Sequence, residues 1–93
     1  MNVSRINEVI ERYDAWDKPW EFPYSVSSDT SLGVEERAVF ESAWSVARDS
    51  ALWTSNEYSE CFRLCEVRIA EIFPWLTPRA RKQIVNGAAY EWR

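Results

Sequence analysis

The chain contains no histidine. Serine–histidine–aspartate triads and cysteine–histidine nucleophiles are therefore outside its repertoire, and so is the commonest metal-binding side chain. Glycine is nearly absent, at 2 of 93 residues. Strand-and-hairpin chains draw on turn glycines, so the scarcity points to helices. There are two cysteines, Cys61 and Cys65. They provide no disulfide framework, and without a second pair they cannot complete a four-ligand zinc site. No apolar run approaches the ~20 residues of a membrane span, and none follows the first residues as a secretory leader would. The compartment expected from this is the cytoplasm, with both thiols reduced. Glycine-rich phosphate loops, a nucleophile elbow and a paired-cysteine redox motif are all missing, and no cofactor is expected.

Aromatic rings are plentiful: 6 Trp, 4 Tyr and 4 Phe. A chain of this length is one domain's worth and buries a modest share of its surface. Rings of roughly 150–250 Å² each are an efficient way to build its core. The charge is acidic, with 15 acids against 11 bases, and uneven. Residues 1–53 carry 10 of the acids and 5 of the bases. Such a balance disfavours nonspecific binding to phosphate backbones, which relies on Lys and Arg; it suits solubility or a basic partner.

The pattern predicts an all-α domain over residues 1–93, a compact bundle of three to four helices with an extended aromatic arm between the first two. The first helix runs from about Arg5, capped by Ser4, with Ile6, Val9, Ile10 and Tyr13 on one face. Residues 17–32 show no helical period and contain Pro19 and Pro23, so they read as an ordered extended arm up to Tyr24 followed by a looser, turn-rich loop over Ser25–Ser31. The second helix starts near Val34 behind Gly33, with Glu35 and Glu36 in its first turn. Its stripe is Phe40, Ala43, Trp44, Ala47 and Ala51. The third is read from a capping box at Thr54–Glu57, followed by Tyr58, Cys61, Phe62, Cys65, Ile69 and Ile72; its long stripe makes it the expected centre of the fold. The fourth starts at Thr77-Pro78. Gly87 inside it costs about 1 kcal/mol relative to Ala, which a close helix crossing would explain.

Two features are candidates for function. Trp16, Trp20, Phe22 and Tyr24 crowd the arm between prolines, and Trp and Tyr dominate protein-binding hot spots. Sealing the core is the competing use for those rings. Arg79, Arg81 and Lys82 lie in the first turn of the fourth helix, where the helix dipole disfavours positive charge. They suit an acidic or anionic partner, or ion pairs with Glu66 or Glu71. The carboxylate pairs Glu8/Glu11, Glu35/Glu36 and Glu57/Glu60 fall on polar faces or at caps, and Cys61 and Cys65 fall in an apolar stripe, where cysteine acts as a small hydrophobe. The expectation is a small protein-binding module of inhibitor, immunity, antitoxin or adaptor type, not an enzyme, with a protein partner and no membrane. The alternatives are a nucleic-acid-associated regulator using the basic start of the fourth helix, and a small enzyme subunit.

Overall fold

The computed structural model describes residues 1–92, in which all regular structure is helical. Five α-helices follow in order: α1 (Val3–Arg12), α2 (Phe22–Ser27), α3 (Val34–Ala47), α4 (Tyr58–Ile72) and α5 (Pro78–Glu91), with 3-10 turns at Pro19–Glu21 and Ser50–Leu52. Their apolar faces meet in one core.

Local chemistry explains most of the boundaries. Asn2, not Ser4, caps α1, its Oδ1 accepting the Arg5 N–H at 3.0 Å. Glu36 reaches back from the third position of α3. Its carboxylate accepts the N–H of Gly33 at 2.7 Å and that of Asn2 at 2.8 Å, tying the start of α3 to the start of α1. Those two bonds, Gly33 first, hold the Glu36 carboxyl below its ordinary pKa. Thr77 caps α5 by accepting the Ala80 N–H at 3.1 Å, and Pro78 opens the helix where no N–H is needed. The Thr77 hydroxyl also donates to Glu11 on α1.

Beyond the Ser4 cap, three further expectations about the main helices fail. Thr54 does not cap a helix. Residues 54–57 are a loop in which Ser55 Oγ accepts the Glu57 N–H at 3.1 Å, and α4 starts at Tyr58 behind Glu57, whose side chain makes no capping bond. α3 ends at Ala47 rather than continuing towards Trp53. Asp49 caps the 3-10 turn that follows, which leaves Ala51 exposed and buries Trp53. The centre of the bundle is α5, which packs against α1, α3, α4 and the first 3-10 turn. Small residues allow this: Ala80, Gly87, Ala88 and Ala89 are all buried.

The largest correction concerns the arm, which is helical. Pro19 and Pro23 sit in the first turns of the 3-10 turn and of α2, where a missing N–H costs nothing. Phe22 and Val26, four residues apart, both enter the core. Asp29 then organises the turn into α3. It accepts from Ser31 N–H and Oγ, pairs with Arg12 at 3.0 Å, and is held below its ordinary pKa first by the Ser31 hydroxyl.

Cys61 and Cys65 are free and buried, with Sγ atoms 3.6 and 3.5 Å from the carbonyl oxygens of Ser55 and Ala47. Burial pushes the Cys65 thiol up to about 12, leaving almost no thiolate at neutral pH. In the native protein at pH 7, a thiol reagent should label Cys65 only as fast as the fold opens, with immediate reaction in denaturant. Rapid native labelling would contradict the packing.

Candidate functional site

The helical ridge Pro19–Ser27 positions the aromatic residues on different sides. Phe22 and Val26 face inward, so Tyr24 stands at the crest, with Trp20 on one flank and Glu21 on the other. Phe22 is 0% exposed, whereas Trp20 is 56% exposed and Tyr24 74%. Phe22 is therefore not available to a partner. Its ring lies among Tyr13, Trp16, Phe40 and Trp44, with centroids 5.4 to 6.1 Å away. Trp16 is half-buried and stacked on Phe22, and its indole N–H donates to Gln83 at 3.1 Å. Gln83 in turn donates to the carbonyls of Ile10 and Tyr13, fastening the end of α1 to α5. Of the four aromatic candidates, two close the core and two, Trp20 and Tyr24, project from the surface.

Beside Trp20 is an open cleft of about 310 Å³. Pro19, Trp20, Pro23 and Tyr90 line it, with the buried Gly87 and Trp44 at its floor. The Trp20 and Tyr90 rings are 6.1 Å apart and tilted by 46°. Arg48 and Glu91 close one end with an ion pair at 2.8 Å. The Arg48 guanidinium lies 5.6 Å from the centre of the Trp44 ring, and its carbonyl accepts the Trp92 indole N–H at 3.0 Å. These contacts clasp the end of α3 to the end of α5. A second cleft of about 300 Å³ lies on the opposite flank of the ridge, lined by Arg12, Tyr13, Asp14, Glu21, Ser25 and Asp29 among others.

The basic group at the start of α5 is split. Arg79 and Lys82 are exposed. Arg81 turns back into the fold, where its guanidinium donates to the Leu76 carbonyl at 3.1 Å and lies 3.8 Å from Glu66. The three do not converge with Trp20. Sequence reasoning missed Arg48, Tyr90 and Glu91 as parts of the cleft. An aromatic at the end of an amphipathic helix reads as core, and only the crossing of α5 over α3 shows otherwise.

Among the described residues, no three Cys, Asp or Glu side chains gather closely enough to hold a metal ion, and no helix is long and apolar enough to cross a membrane. No protein-family model, curated protein or solved structure matches the chain.

Proposed function

We propose that the protein is a small protein-binding module, acting as an inhibitor, an immunity or antitoxin protein, or an adaptor, with the Trp20–Tyr24 ridge and its cleft as the contact surface. The observation that carries this is the exposure of two large rings on a segment whose other face is locked in the core. These two are the most exposed aromatics among the described residues, and large exposed rings on one segment favour association. The ridge is also ordered before any partner arrives, because Phe22 and Val26 anchor it and two prolines stiffen it. Little conformational entropy is then lost on binding. Trp and Tyr supply much contact area with few rotatable bonds. Glu21, Lys18 and Arg48 around them provide a polar rim.

Replacement of Trp20 by Ala, and separately of Tyr24 by Ala, tests this. Each should change stability by less than about 1 kcal/mol, as expected of surface positions. Tagged wild-type and variant proteins are then compared in extracts of the cell of origin by quantitative mass spectrometry. A specific protein held by the wild type should fall severalfold with either variant. Equal recovery with all three proteins, or a stability loss of several kcal/mol with Trp20→Ala, would refute the surface role.

A further inference from the structure

We propose that the partner seated on this ridge is a basic protein segment, which lays one arginine or lysine side chain against the Trp20 and Tyr90 rings and sets a second beside Asp14, Asp17 and Glu21. This rests on the docking role of the ridge and adds the chemistry of what docks.

The charge around the ridge supports this. Between Arg12 and Tyr24 the chain carries Asp14, Asp17 and Glu21 as its carboxylates, and Arg12 and Lys18 as its bases. Arg12 is taken by Asp29 and, across the ridge, Arg48 is taken by Glu91. Among the described residues no base lies within ion-pair distance of Asp14, Asp17 or Glu21, so three carboxylates face solvent against the single ammonium of Lys18. They also act together. Burial first, then Glu21, Asp17 and Asp14, push the Tyr13 phenol above its ordinary pKa. The acid flank and the aromatic cleft are the two sides of one ridge, so a segment crossing at Tyr24 reaches both.

The cleft already holds a cation in this manner. Arg48 sits over an indole and against a carboxylate, the geometry in which a guanidinium gains most from a ring face. Trp20 offers a second indole on the same cleft with no internal guanidinium over it among the described contacts, while the acids for a second cation line the other side of the ridge. An apolar or proline-rich segment fits the rings but leaves the carboxylates unmatched; charge complementarity selects the basic one.

The probes are fluorescein-labelled eight-residue peptides of alternating glycine and arginine, of alternating glycine and glutamate, and of proline alone, titrated with the full chain and read by anisotropy. The arginine peptide should bind, and added salt should weaken it. Trp20→Ala should weaken it about fivefold, and the double variant Asp17→Asn, Glu21→Gln about threefold, with thermal melts of both unchanged. The glutamate peptide should not bind. Binding of the arginine peptide that ignores Trp20→Ala, or ignores the neutralised acids, overturns the inference. Binding of the proline peptide in its place, lost in Trp20→Ala, overturns the basic partner and leaves the docking role standing. Absence of binding by all three peptides overturns the inference, and the docking role is then decided by the capture comparison of Trp20→Ala and Tyr24→Ala.

Discussion

Replacing Phe22 by Ala should destabilise the fold by ~3–5 kcal/mol, the cost of removing a fully buried phenyl ring. The melting temperature of a domain this size should then fall by about 12 °C or more. The ring lies where α2 meets α3, α5 and the segment that follows α1. Tyr13 and Trp16 follow α1, Phe40 and Trp44 belong to α3, and Gly87 of α5 passes within van der Waals reach. Truncation would leave a cavity whose walls are other rings, held by their own hydrogen bonds, as Trp16 is by Gln83. Such walls relax little, so the upper part of the range applies. α2 has only six residues, too few to be helical alone, and without Phe22 its anchor is reduced to Val26. The ridge should therefore loosen before the bundle does, and hydrogen exchange across residues 19–27 should rise more than in α4 or α5. Phe22→Leu should cost much less, since it keeps most of the volume. A melt of Phe22→Ala within a few degrees of wild type would show that the ring does not hold these elements together.

How far the fold was legible follows from where each signal originates. Helices α1, α3, α4 and α5 are read from periodic apolar positions, and the Thr77-Pro78 start from cap chemistry, because those causes act within one or two turns of chain. The capping box at Thr54–Glu57 misled because its residue types are right while the backbone just before them is claimed by the buried Trp53. Its indole N–H donates to Ala47 at 2.8 Å, which fixes a turn where the helix was expected to begin. α2 was missed because six residues with a proline carry no periodicity worth reading; its one signal was Phe22 and Val26, four apart. The site was half legible. Trp20 and Tyr24 stand out by composition in a stretch that also holds Trp16 and Phe22, and no local rule separates the four. What separates them is the direction of a helix the sequence did not announce. Tyr90 and Glu91 are some seventy residues away along the chain and join only through the α5 crossing, whose trace in the sequence is a single glycine.

That glycine supports the second large effect. Gly87→Ala, in the middle of α5, should raise stability by about 1 kcal/mol if helix propensity alone decided it. The surroundings reverse the sign. A methyl group at that position would lie 2.8 Å from Cδ2 of Phe22 and 3.1 and 3.2 Å from two atoms of the Trp44 ring. The first is shorter than carbon atoms tolerate, and Phe22 cannot retreat, because Tyr13, Trp16 and Phe40 surround it. Trp44 is braced as well, stacked on Phe40 at 6.5 Å and covered by Arg48. α5 itself must therefore move outward, at an overpacking cost that exceeds the propensity gain, for a net loss of about 2 kcal/mol. Two readings distinguish this from a general disturbance. In a Phe22→Leu background the methyl group has room, so Gly87→Ala should cost less there than alone, a coupling that a double-mutant cycle measures directly. And because Gly87 also floors the cleft beside Trp20, the outward shift should alter the fluorescence of the indoles along that cleft before any unfolding occurs. A melting temperature that rises on Gly87→Ala, with additive behaviour in the cycle, would mean that α5 does not cross against Phe22 and Trp44, and the floor of the cleft would have to be redrawn.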